Sequence, residues 1–430
     1  MSIYSAMNSG VSGLAAQSAK FSAISDNISN SGTVGYKRTN VQFSTLVTNN
    51  SSAGTYSAGG VEASLRTEVS RAGIITRSTV ATDLAISGNG FFVVGTNADA
   101  QNVQGTTHML TRGGSFRPDS SGNLVNTGGY YLQGWALDTN GNVSGGSPSR
   151  TSFDGLETVS LGKITGLAKA TGNINFAANL PASMTGQTPA AAPFSTSIDY
   201  YSPLGFTNKL TLEWQPSTVA NQWTLNIRDG NNASLGTVNM AFSNGIATTV
   251  PAGTLSSMTA GGGVTVNNGT INLTVAGQPI KLSMGEIGAN GGLTQWGDQY
   301  VPGAFGKDGA GYAPLDRVEI GDDGIMTAIY RNGLRQAVYQ IPVANVTNPD
   351  GLRRMDGNAF QVSRESGDFY LWDGGAGSAG TIDDGALEAS NVDIAEELTS
   401  IIETQRAYSS NAKIIQTADE MMDEITRLMR

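Results

Sequence analysis

"SNVDIAEELTSIIETQRAYSSNAKIIQ", residues 390–416, decides the fold. Within it and just beyond it, Ile394, Ile401, Tyr408, Ile415, Met422 and Met429 recur at every seventh position. Leu398 and Ala412 fill companion positions, and Ile425 falls on a slightly shifted stripe. Sevenfold apolar spacing is the signature of a helix that packs along one seam. Asp393 followed by Glu396 makes a capping-box-like start, with Ser390 and Asp393 as a competing reading one turn earlier. Acidic Asp393, Glu396 and Glu397 stand at the positive end of the helix dipole, and Arg427 and Arg430 stand at the negative end. The spacing predicts a helix over 393–429, about 54 Å long at the usual rise per residue.

A second helix is predicted over residues 3–29. Met7, Leu14, Phe21 and Ile28 recur every seven residues, with Tyr4 and Val11 on the adjoining position. The C-terminal helix has charges for a wet face, among them Glu403, Arg406, Lys413, Asp419, Glu420, Asp423 and Glu424. The N-terminal one has only Lys20 between residues 5 and 25, on a back of Ser, Ala, Gly, Asn and Gln. Gly10 and Gly13 each lower its intrinsic helicity by about 1 kcal/mol relative to Ala. A poor, uncharged helix of this kind requires neighbours, and other copies of the chain are the natural ones. Two core helices of one globular domain would satisfy the pattern equally.

Between the helices, from about residue 60 to 370, short strand candidates alternate with turns: "FFVV", "YYLQGW", "KLTLEWQ", "WTLNIRDGNN" and "TINLTVAG". "IMTAIYRNGLRQAVYQI" reads as a hairpin around Arg331-Asn332-Gly333. The expected fold class is mainly β with terminal α-helices. The two helices form an antiparallel, coiled-coil-like pair, and two β-rich domains of the sandwich or barrel class follow, the outer inserted in the inner. The expected domains are a terminal helical domain (1–35 and 391–430), an extended linker region (36–70 and 371–390), a core β domain (71–164 and 301–370) and an inserted outer β domain (165–300).

Composition excludes several function classes. The chain has no cysteine and one histidine, His108, so disulfides, Cys-ligated metals and imidazole clusters are out of reach. A formal net charge of −10 argues against nucleic acid and anionic membranes as partners. No basic residue precedes Lys20, and no run of about 18 apolar residues is present, so neither a secretory signal nor a membrane span is predicted. Taken alone, these features suggest the cytoplasm. "SGNGFFVVG" lacks the third glycine of a dinucleotide fingerprint, and Lys163 of "VSLGK" is not followed by Ser or Thr as in a phosphate loop. Asp322-Asp323 and Asp383-Asp384 precede glycines and read as turns. "DTNGN" from Asp138 lacks the glycine and closing glutamate of a calcium loop. The chain is expected to be no enzyme and to have no catalytic residue, cofactor or metal site.

Four stretches resemble the flagellar rod and hook axial protein family. "DNISNSGTVGYKRT" matches its N-terminal signature through Asn27, Asn30, Thr33, Gly35, Tyr36 and Lys37; Val34 stands where the family usually has proline, which loosens the turn. "DLAISGNGFFVV" from Asp83 and "TRGGSFRPDSSGNLVNTGGYYLQGW" from Thr111 look like its first core β region. Asn391, Asp393, Gln405, Arg406 and Asn411 match its C-terminal helix. "FSTSIDYYSPLGFTNKLTLEWQ" is similar to a segment of the outer domain of hook-type members, and the insertion at 165–300 separates the chain from the shorter rod-type ones.

The resemblance implies a self-assembling structural subunit in a curved tube that joins rotary motor to filament. It also implies export without a cleaved signal to the extracellular flagellum. Other copies, rod, hook-cap and junction proteins, and the export apparatus are the implied partners. A distal rod subunit is the near alternative; a secreted β-rich adhesin or carbohydrate-binding protein is the alternative of another class. On this reading Met7, Val11, Leu14, Phe21, Ile28, Ile394, Leu398, Ile401, Tyr408, Ile415 and Met422 do the packing and assembly, with Phe21 and Tyr408 in the core of the helix pair. Gly35 supplies the turn, Tyr36 anchors it, Lys37 meets a polar partner, and Asn27 and Asn30 satisfy backbone groups near the helix end.

Overall fold

The computed structural model describes residues 3–46, 59–98, 107–246 and 250–428. Two helices, α1 (Ile3–Ser29) and α2 (Ile394–Leu428), bracket a chain that is otherwise strands and turns. Met429 and Arg430, expected on the last turn, lie outside the described residues. α2 starts where Asp393 caps it: its Oδ1 accepts the amides of Ala395 (2.9 Å) and Glu396 (3.3 Å). The reciprocal half of a capping box is missing, because the Glu396 carboxylate is taken by Arg38 (2.7 Å).

The helices pair antiparallel. Gly10 lies against Ile415, Gly13 against Asn411, and Asn27 meets Glu397. The predicted stripe enters this seam at Ile415, while most of its large residues lie at the flanks or outside. The positions of α1 that are buried are Gly10, Gly13, Ala16, Ala23, Ile24 and Asn27, and those of α2 are Glu397, Thr404 and Ala418. Phe21 (42% exposed), Val11 (52%), Tyr408 (48%), Ile394 (49%) and Leu398 (51%) face outward instead. Met7, Leu14, Ile28, Ile401, Ile415 and Met422 are half-buried at the flanks. The reason is steric: at Gly13 a Cβ would stand 2.7 Å from the Asn411 amide, so this close approach is open only to small residues.

Contacts divide the chain into two units: Met1–Ile164 with Arg317–Ala328 and Arg335–Arg430, and Thr165–Asp316 with Ile329–Leu334. In the first, Phe91–Gly95 lies between His108–Thr111 and Tyr131–Ala136, and Phe91 and Phe92 also pair with Ala344 and Val343. Phe91, Val93, Leu110, Trp135, Val346, Phe360 and Leu371 build its core. The described residues of the expected 36–70 linker are largely paired strand. They contain the antiparallel strands β1 (Thr39–Thr45) and β2 (Val61–Thr67), and the β2 end is fastened to α1 where Ser12 Oγ accepts the Val61 amide (3.2 Å). Within the other expected linker segment, Thr381–Asp384 and Ala386–Glu388 pair with Leu84–Ser87 and Ile75–Arg77, so Asp383-Asp384 is strand rather than turn.

The second unit is a sandwich. A five-stranded meander from Phe194 to Gly262 faces a six-stranded sheet in which Asn173–Leu180 pairs with three partners. Ile174, Phe176, Leu212, Trp214, Leu225, Val238, Ile271 and Leu282 fill the space between them. Alternate inward side chains explain the period-two patterns seen in "KLTLEWQ" and "TINLTVAG". Among the described residues no sheet closes into a barrel.

Candidate functional site

Helix α1 ends in a turn at which Gly35 takes φ +67°, and a Cβ there would stand 2.5 Å from the Gly113 amide nitrogen. Only glycine both accepts that conformation and fits that gap. The turn drives four consecutive side chains, Tyr36 to Thr39, into the interior where α1 ends and α2 begins.

Asn27 joins α1 to β1 through a two-way amide contact: its Nδ2 donates to the Thr39 carbonyl (2.9 Å) and its Oδ1 accepts the Thr39 amide (2.9 Å). The same Nδ2 lies 3.3 Å from Glu397 of α2. The Tyr36 hydroxyl shares its one proton between Asp26 (3.1 Å) and the Asn27 amide oxygen (3.2 Å), and burial pushes its pKa above the ordinary value. Asn30 donates to the Asp26 carbonyl (2.9 Å), and Thr33 donates to Asn30 (3.3 Å). On the other side, Asn391 accepts the Arg38 amide (2.7 Å) and donates to the carbonyls of Glu68 and Arg71 (3.1 and 3.0 Å).

Two charge clusters lock this root. Lys37 Nζ donates to Glu388 and to the Arg71 carbonyl, both at 2.7 Å. Arg112 approaches the second Glu388 oxygen at 3.0 Å, and the Gly73 amide donates to the first at 2.8 Å. Lys37, Glu388 and Arg112 are all buried. Burial alone would raise the Glu388 pKa, but the Arg112 and Lys37 charges outweigh it and hold it below the usual glutamate value. Burial lowers the Lys37 pKa despite its glutamate partner. The second cluster joins Arg38 to Glu396 and Glu397, whose hydrogen bond and charges outweigh desolvation and raise the arginine pKa. Paired buried charges of this kind specify geometry more than they add stability.

Asn27, Tyr36, Lys37, Asn391 and Asp393 therefore meet at one place. Gln405 and Arg406 stand apart and exposed along α2, and Asn411 sits in the helix seam. Gln405 and Tyr408 border a groove with Gln17 and Phe21 of α1. Sequence reasoning missed Arg38, Arg112, Glu388 and the pairing role of Glu397. Their partners lie up to 370 residues away along the chain, which leaves no local spacing to read.

A buried root thus ties the end of α1 to the start of α2, and a helix pair with large apolar side chains exposed along it emerges from that root. Three family descriptions match along the chain: "Flagella basal body rod protein" at 7–37, "Flagellar hook protein FlgE/F/G D1 domain" at 85–181 and "Flagellar basal body rod FlgEFG protein C-terminal" at 383–428. The chain is 38% identical over 434 residues to the flagellar hook protein FlgE of Brucella abortus and 36% identical over 436 residues to that of Rhizobium meliloti, covering 100% of each chain in both cases. A crystal structure of Helicobacter pylori flagellar hook protein FlgE2 aligns with 71% of this chain and 98% of its own at 15% identity and TM-score 0.45. The chain belongs to the flagellar hook protein family, a structural family of the flagellum. No helix among the described residues is long and apolar enough to cross a membrane.

Proposed function

We propose that the chain assembles with copies of itself into the flexible curved tube of the flagellar hook, a universal joint that passes torque from motor to filament. The supporting observation is the outward face of the helix pair. Val11, Phe21, Ile394, Leu398, Ile402 and Tyr408 leave apolar surface uncovered along helices whose own seam is already filled by Gly, Ala and Thr. So many large apolar side chains exposed along one helix pair call for a protein partner. In this reading the terminal helices (1–35 and 391–430) form the inner tube, the core β domain the middle layer and the inserted domain from about 165 to 300 the outer surface. The wet, Ser-, Thr- and Asn-rich outer surfaces exchange weak contacts as rows of subunits lengthen and shorten. The role is mechanical, with no catalysis and no cofactor. The subunit reaches the cell exterior through the export apparatus without a cleaved signal, and it meets rod, hook-cap and junction proteins at the ends of its polymer.

Electron microscopy of the purified chain under mild precipitant tests the reading, with short curved tubes as the expected result. Removing residues 405–430 spares Arg38, Glu396 and Glu397 at the root and should abolish the tubes while both β units stay folded. Tubes of native diameter from the truncated chain would end the proposal.

A further inference from the structure

One surface of the first unit runs against the charge of the whole. Although the chain carries a net charge of −10, four arginines, Arg66, Arg353, Arg354 and Arg364, line a single groove beside β2, against two carboxylates, Asp350 and Glu365. Arg66 and Arg354 are partly engaged within the chain: Arg66 lies 3.5 Å from Asp350, and Arg354 lies 3.6 Å from Asp26 and stacks on the Tyr36 ring. Arg353 and Arg364 are exposed, and their side chains have no ion pair among the described residues. Leu65, 63% exposed, adds an apolar spot to the same groove.

The complementary surface is on the far end of α2. Asp419, Glu420, Asp423 and Glu424 are all exposed within six residues, with Arg427 the one cation nearby among the described residues. Met421 and Ile425, about half exposed, stand among them. Within one chain the two surfaces are kept apart. The groove adjoins the root, where Arg354 contacts Asp26 and Thr39, whereas Glu420 lies 23 residues beyond Glu397, about 35 Å along the helix.

We infer that the arginine groove beside β2 receives the acidic end of α2 from a second copy of the chain. This inference rests on self-assembly and adds to it an electrostatic contact that fixes the axial offset between copies. The paired apolar faces are non-directional and tolerate sliding, whereas carboxylates clustered over two helical turns meet Arg353 and Arg364, the groove's two arginines without an ion pair among the described residues, at a defined offset. Opposite charges supply register and speed of association, which an apolar stripe with a sevenfold repeat lacks.

A charge exchange in the full-length chain tests this. R353E with R364E reverses the two arginines that serve no internal pair, so the fold is spared; circular dichroism and the melting profile check that it is. Assembly is followed by light scattering and microscopy. The groove variant and the helix variant, E420K with D423K, should each raise the critical concentration about tenfold or more and flatten its dependence on salt. All four substitutions in one chain should bring it back to within about threefold of the parent. A groove variant that assembles like the parent at every salt concentration overturns the contact while leaving the tube intact. So does a fourfold variant no better than the single-sided ones, or a groove whose only change is lost binding of inorganic phosphate or of phosphatidylglycerol vesicles. If the parent forms no tubes at all, the assembly reading itself fails, and the contact fails with it.

Discussion

Glu388 takes two cations and a backbone amide in a place from which water is excluded, and it comes from a strand far along the chain from Lys37. Replacing it by Gln keeps the shape and removes the charge that Lys37 and Arg112 both need. An unpaired buried cation is expensive, so Glu388→Gln should lose about 3–5 kcal/mol in denaturant unfolding of the first unit. The pH dependence follows from the sign of the shift. The folded-state pKa lies below the ordinary value of 4.5, so the stabilisation is fully present above that value and is lost as pH falls through the folded pKa. Below pH 4.5 the parent should therefore lose stability more steeply than the variant; parallel curves would remove Glu388 from the network. The identity of these partners was not legible beforehand. Tyr36 and Lys37 stand next to a recognisable turn signal, whereas Arg112 and Glu388 look like any charged residue in a strand-rich text.

At the scale of the element, the two helices were legible almost to the residue, because their apolar spacing persists and their ends carry the right charges. The face was misread for a physical reason. A hydrophobic stripe marks where burial is favourable, but a helix pair in an assembling protein has two faces to bury, and the large residues went to the outer one. The inner seam is selected by size, so Gly10, Gly13 and Ala16 look like weak helix formers in sequence and act as the contact in space. Gly13 separates the two ideas. Gly13→Leu should cost about 1–3 kcal/mol by forcing bulk against Asn411, read as loss of helix signal in thermal melts. Gly13→Ala should be nearly neutral, since about 1 kcal/mol of gained helix propensity offsets the displaced Asn411 amide. Ala15→Leu on the exposed side should leave the helix pair intact. If Gly13→Leu melted like Ala15→Leu, the small-residue seam would be incorrect.

For the molecule as a whole, the strand-rich middle announced itself through alternation and turn residues, while the pairing that bounds the second unit joins strands far apart in the chain. Its definition is a matter of pairing: Leu167 and Lys169 lie opposite Ala313 and Ala310, so the chain enters and leaves the sandwich on adjacent antiparallel strands. Its apolar core lies between Ile174 and Leu293 in sequence, so the sandwich needs no side chain of the first unit to close its core. That pairing brings Lys169 and Ala310 about 5 Å apart in Cα position, the distance a two-residue turn spans. Replacing residues 170–309 by Asn-Gly should leave a first unit that still melts cooperatively, and residues 170–309 alone should fold as well. Calorimetry should resolve two transitions in the parent and one in each part, each within a few degrees of its position in the whole chain. A first unit that no longer melts cooperatively after the excision would mean that the sandwich stabilises it directly. Where both parts fold, the shortened chain becomes the material for asking what the inserted unit contributes to the tube. Assembly with altered curvature would assign it to the outer surface, and loss of all assembly would place it among the contacts that build the polymer.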